Sequence, residues 1–220
     1  MATTHAHLRI HEGPVARTQH EILPEDAALL SDERKVELIA SRFREIMLIL
    51  GLDLQDENLI DTPHNVAKMY VQETFRGLNP ANKPAVTLFD NKYDYNQILI
   101  VKDITLYSLC AHHFMPIIGR VNVGYISSGK VIGLSKINRL VQYYASRPQV
   151  PESLISQIAE GLKEALDTED IAITIDATYL CVASRGVEDT HSSSITAHYG
   201  GRFKNMETRN SFIHSLEEAS

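Results

Sequence analysis

Val36, Ile39, Ala40, Phe43, Ile46, Met47 and Leu50 recur at the three-and-four spacing of one helix face. With Ser31 placed as an N-cap and Gly51 as a stop, the pattern predicts an amphipathic helix over residues 32–50. A second helix is expected from Thr62-Pro63, read as N-cap and first helical residue, through Val66, Met69, Tyr70 and Phe75 to Gly77. The turn-rich stretch from Asn79 to Pro84 closes this helical part. Beyond it the pattern shifts to β-branched and aromatic residues, and Gln97 to Leu109 predicts a long strand delivering Cys110 at its end. Val121, Val123 and Tyr125 alternate with Asn122 and Gly124, and Ser127-Ser128-Gly129-Lys130 is expected to turn the chain into Val131–Leu134 as an antiparallel hairpin.

Ser135 is placed to cap a helix with Ile137, Leu140, Val141 and Tyr144 on its apolar face, and Pro151 to open another carrying Leu154, Ile158, Leu162 and Ala165. Strands are expected over Ile171–Ala177, over Thr178–Ser184 with Cys181 inside it, and over Ser192–Tyr199, before a closing helix from Thr208 to Leu216. This order predicts an α+β fold: a mainly antiparallel sheet, helices on one face and an N-terminal helical extension. Three parts follow along the chain: a polar arm over residues 1–31, a helical part over 32–84 and a main domain over 85–220. The arm carries His5, His7, His11 and His20 without lasting periodicity, which reads as a mobile or loosely docked tail.

Charge and composition narrow the function classes. In 220 residues, 28 acids against 21 bases leave a net charge of −7, which argues against binding nucleic acid or an anionic membrane through the whole surface. No apolar run approaches the roughly 20 residues that span a bilayer, and Met1 to Glu21 lacks a signal-peptide core. A soluble, cytoplasmic protein is expected. Two cysteines make no disulfide framework, and a reducing compartment keeps both available as thiolates.

Cys110-Ala111-His112-His113 concentrates soft metal ligands in four residues, and Cys181 supplies one more far downstream. Zinc takes cysteine sulfur and histidine nitrogen in tetrahedral geometry, and a catalytic site uses three protein ligands so that a fourth position stays open. Cys110, His113 and Cys181 are therefore the expected ligands, with His112 directed elsewhere and free for proton transfer. The alternative is two small buried hydrophobes; the adjoining histidine pair favours the metal.

With Cys110-Ala111-His112-His113-Phe114, the run Val131-Ile132-Gly133-Leu134-Ser135-Lys136-Ile137-Asn138-Arg139, and Arg147-Pro148-Gln149-Val150, the chain resembles the GTP cyclohydrolase I family. Thr62-Pro63-His64, Ala67-Lys68-Met69-Tyr70, Cys181 and Arg185-Gly186 fall in the order of that family, and the resemblance covers roughly residues 32–216. It implies the tunnelling fold, in which antiparallel sheets of several subunits join into a barrel, and a homodecamer of two pentamers with active sites between subunits. It also implies zinc on Cys110, His113 and Cys181, and a reaction that hydrolyses the guanine imidazole ring of GTP at C8. Formate leaves and 7,8-dihydroneopterin triphosphate forms, the first step of pterin and tetrahydrofolate biosynthesis. His112 matches the acid–base histidine, and Ser135 and the position of Tyr179 belong to the same catalytic group. Lys136, Arg139 and Arg185, joined by Lys68, match the cations that hold the triphosphate, and Glu152 matches the carboxylate that holds guanine.

Four positions depart from the pattern: Asn65 stands where a phosphate-binding arginine is usual, Ala111 where a glutamate is, Pro151 where a glutamine is, and Tyr179 where a second histidine is. A phenol with an ordinary pKa of about 10 does not shuttle protons near neutrality as imidazole does. Losing the arginine removes a contact of about 1 to 3 kcal/mol. Three readings follow: a GTP cyclohydrolase I that tolerates Tyr179; a diverged zinc hydrolase that stops at a formamidopyrimidine intermediate or takes another purine nucleotide; and a non-catalytic binding or assembly homologue with structural zinc.

Overall fold

The computed structural model describes residues 29–217. The arm expected over residues 1–31 lies outside the described residues except for its last three.

Helix α1 spans Asp32–Ile49 and starts as expected: the Ser31 hydroxyl accepts from the Arg34 N–H at 3.3 Å, and Asp32 and Glu33 lie in the positive first turn. It ends before Gly51, whose φ of 79° suits glycine. Helix α2, Thr62–Lys68, carries Pro63 in its first turn and passes into a π-helical turn over Met69–Thr74. The second helix is thus not one regular rod to Gly77, and its N-cap is Asp61 rather than Thr62. Gly77 is pinned to the main body: its N–H donates to the Ser146 carbonyl at 2.9 Å, and its own carbonyl accepts from Arg147 Nε at 2.8 Å.

The architecture is α+β. Strands β1 (Leu88–Asp90), β2 (Ile98–Cys110), β3 (Pro116–Ile126), β4 (Lys130–Ile132), β5 (Pro148–Gln149), β6 (Ile171–Tyr179) and β7 (Ser194–Tyr199) form two sheets. The larger has the order β5-β2-β3-β6-β7, antiparallel except for the short β2–β5 pair. Helices α3 (Leu134–Ala145) and α4 (Pro151–Leu166) pack on one face of it, burying Ile137, Leu140, Val141, Leu154, Ile158 and Leu162 against Leu106, Val121, Val123 and Ile173. Gly161 permits their close approach, because an added Cβ would run into the Tyr144 ring. The opposite face is covered at one end by α6 (Met206–Glu217), whose Phe212 lies over Gly124 and Ala172. Helices therefore occupy both faces, with the two core helices on the same one.

The structure corrects three local expectations. Residues 130–132 do not form a hairpin with β3: β2 and β6 occupy both edges of β3, so β4 pairs antiparallel with β1 instead. Ser135 is not the cap of α3; the chain leaves the extended conformation at Gly133, and Ser135 is the second helical residue. The expected strand 178–184 does not exist as such. Strand β6 runs unbroken to Tyr179, where its ladder ends at Ile117, beside the start of β3 at Pro116. The chain then coils into the helical turn α5, Leu180–Ala183, and Cys181 sits in that turn.

Candidate metal centre and active site

Strand β2 carries Cys110 to the edge of the core, where it is 4% exposed. A tight loop follows, closed by the Cys110 N–H donating to the Met115 carbonyl and the Phe114 N–H donating to the Cys110 carbonyl, both at 2.8 Å. The Ala111 N–H donates to the Gln149 carbonyl on β5 at 2.8 Å, tying the loop to the neighbouring strand. Phe114 has a φ of 51°, in the left-handed region. Its ring lies against Phe75 and Tyr70 with centroids 5.0 and 6.2 Å apart, so the end of the N-terminal helical segment holds the loop.

From the adjacent end of β6, the turn α5 brings Cys181 to the same place. The ligand atoms of Cys110, His113 and Cys181 all lie within 4.8 Å of one another. Both cysteines are free, and burial pushes the Cys181 thiol up, with the neighbouring Cys110 adding to it and Arg185 opposing. Two sulfurs and an imidazole at this spacing fit a soft or borderline divalent cation better than calcium or magnesium, which take oxygen. His112 is exposed, its ring nearly perpendicular to that of His113 with centroids 6.3 Å apart.

Tyr179, half-buried at the end of β6, faces the same cluster. Its phenol is pushed up to about 12 by burial first, then by the neighbouring Cys110, Glu152 and Cys181. Glu152 lies in the first turn of α4 with its side chain exposed. Tyr179, Glu152 and Arg185 are thereby gathered around the two cysteines.

The remaining residues singled out from the sequence lie elsewhere on the chain's surface. Ser135 and Arg139 are exposed on α3, and the stem of Lys136 packs beside Gly133. Lys68 is exposed at the end of α2, near the exposed Asn65. Arg147, quoted above only for its place in a motif, has a structural role: it bonds Gly77 and Gln157 and lies over the rings of Tyr143 and Tyr144 at 4.7 and 4.9 Å. Sequence reading missed Phe75, Tyr70 and Phe114 as the clasp on the loop that follows Cys110. Their aromatic character was visible, but their pairing across the chain was not.

The profile of the family described as GTP cyclohydrolase I matches residues 39–217. The chain is 53% identical over 191 residues to the GTP cyclohydrolase 1 of Flavobacterium johnsoniae, covering 87% of this chain and 86% of that protein. It is 45% identical over 208 residues to those of Erwinia tasmaniensis and Escherichia coli O1:K1, covering 94% of each chain. Matches of this extent, across both the helical N-terminal part and the sheet that carries Cys110, establish that the chain belongs to the GTP cyclohydrolase I family of enzymes.

Proposed function

We propose that the chain hydrolyses the imidazole ring of GTP at C8 with zinc, releases formate and forms 7,8-dihydroneopterin triphosphate. The observation that carries this reading is the meeting of Cys110, His113 and Cys181 within 4.8 Å, in a chain so similar to proteins named GTP cyclohydrolase 1.

Cys110, His113 and Cys181 would hold the zinc. When bound there, zinc supplies a Lewis acid and a water of lowered pKa. His112 stands outside the ligand set beside His113 and delivers a proton to the imidazole nitrogen of the base as the ring opens. Glu152 accepts from guanine N1 and the exocyclic amine, two donors matched by its two oxygens. Tyr179, with its phenol held protonated, donates a hydrogen bond and leaves proton transfer to His112. Lys68, Lys136, Arg139 and Arg185 bind the triphosphate, and Ser135 adds a donor in the first turn of α3.

The same reading assigns a homodecamer of two pentamers joined through tunnelling-fold sheets. It is supported by large apolar side chains left outward at the end of α1 and beyond, among them Ile49, 85% exposed, and Leu50, 70% exposed. No described helix is long and apolar enough to cross a membrane. The cytoplasm suits two thiols that must stay reduced.

A second reading, ring opening that halts at a formamidopyrimidine, is favoured by Tyr179 alone, because its phenol does not replace an imidazole in later proton transfers. The site assignment is tested with His112→Ala in zinc-loaded protein. Retained zinc with no loss of GTP is expected; full activity in that variant would remove His112 from the chemistry.

A further inference from the structure

A cavity of about 590 Å³ opens between the segment that follows α2 and the exposed side of α3. Arg76 and Arg139 line it, together with the amides of Gln72, Asn82 and Gln142 and the carboxylate of Asp32. Asp32 has Lys35 at 3.8 Å, and neither Arg76 nor Arg139 forms an ion pair among the described residues. Two guanidinium forks without carboxylate partners, with amide donors around the same space, suit an anion bearing several oxygens, and phosphate above all.

The cavity is coupled to the metal loop. Phe114, next to His113 in the chain, lies against Tyr70 and Phe75. Those two residues bracket Gln72, and Phe75 directly precedes Arg76, so the segment that clasps the loop also forms the cavity wall. The segment includes a π-helical turn, over Met69–Thr74, an irregularity frequent at functional sites.

We propose that Arg76 is a further phosphate-binding residue, which acts with Arg139 to hold the phosphates of the nucleotide substrate. This rests on the reading of the substrate as a nucleoside triphosphate. It adds a guanidinium that the sequence motifs did not single out, in the short helical turn Arg76–Leu78 that follows the π-helical turn.

The test is Arg76→Gln in the zinc-loaded, full-length protein. Calorimetric titration with inorganic tripolyphosphate is compared with steady-state kinetics on GTP. The Kd for tripolyphosphate and the KM for GTP are each expected to rise on the order of tenfold, with the effect falling on KM rather than kcat. Zinc content is expected to stay the same, Arg76→Lys to recover part of the loss, and Arg139→Gln to weaken tripolyphosphate binding as well. Unchanged Kd and KM in Arg76→Gln would overturn the proposal. So would a weakened tripolyphosphate site that does not compete with GTP. Should the wild-type protein leave GTP intact, the substrate reading fails. The tripolyphosphate titration then still decides Arg76: equal binding by wild type and variant overturns its role, and weaker binding by the variant sustains it.

Discussion

Phe114 joins the loop after Cys110 to the N-terminal helical segment, and two substitutions separate what its ring and its backbone each contribute. An aromatic side chain offers about 200 Å², and Phe114 is 46% exposed, so roughly half of that is buried against Tyr70 and Phe75. At about 25 cal/mol per Å², that burial stabilises by about 2.5 kcal/mol. The two ring contacts add about 0.5 to 1 kcal/mol. Phe114→Ala should therefore cost about 3 kcal/mol. Phe114→Gly loses the same ring, yet it relieves a residue held at a φ of 51°, where a side chain costs about 1 to 2 kcal/mol. The glycine variant should be the more stable of the two by about 1 kcal/mol, the reverse of the usual order in helices and strands. Urea denaturation of wild type and both variants measures this, with zinc affinity as a second readout of loop order. A glycine variant less stable than the alanine variant would refute the left-handed loop, and a cost below about 0.5 kcal/mol in both would refute the clasp.

Cys181→Ser should lose the metal while keeping the fold, as measured by metal content and circular dichroism, because Cys181 lies half-buried in a short turn and not in the sheet; a variant that stays active without bound zinc would contradict the ligand set. Gly161→Ala should destabilise by about 1 to 3 kcal/mol in denaturant melts, since the new methyl meets the Tyr144 ring between α3 and α4. His198 should make stability fall in mild acid. Burial, with Lys163 and Lys204 alongside, outweighs Glu160 and Glu169 and holds its imidazole below the ordinary value, so the unfolded chain takes up a proton more readily than the folded one. That contribution is fully present above the ordinary histidine pKa of about 6.5 and is lost as pH falls below it. Thermal melts from pH 7.5 to 5.5 should show a shallower decline for His198→Asn, and an equal decline would remove His198 as the cause.

Local pattern carried much of this fold. The stripe Ile137, Leu140, Val141 and Tyr144 and the stripe Leu154, Ile158 and Leu162 are buried as their spacing required, and the long strand delivers Cys110 where expected. What failed was non-local. The turn at Ser127–Lys130 marks Val131–Leu134 as the start of a strand but does not say that both edges of β3 are taken, so the partner β1, about forty residues earlier, was not legible. The turn holding Cys181 follows from where the β3–β6 ladder runs out, which depends on Pro116 in another strand. The meeting of Cys110, His113 and Cys181 was legible because cysteine and histidine are chemically distinctive at any location. The cavity holding Arg76 and Arg139 was not, because an arginine in isolation reads as a solvated charge and only the fold faces these two toward one space.

The most direct test of the account is to incubate zinc-loaded protein with GTP and measure, in the same sample, GTP consumed, formate released and pterin fluorescence after oxidation. Equal amounts of formate and pterin for each GTP consumed are expected. Ring opening without formate would contradict the complete reaction and place the block at the second hydrolysis, and formate without pterin would place it at the rearrangement. GTP left intact would contradict the substrate itself.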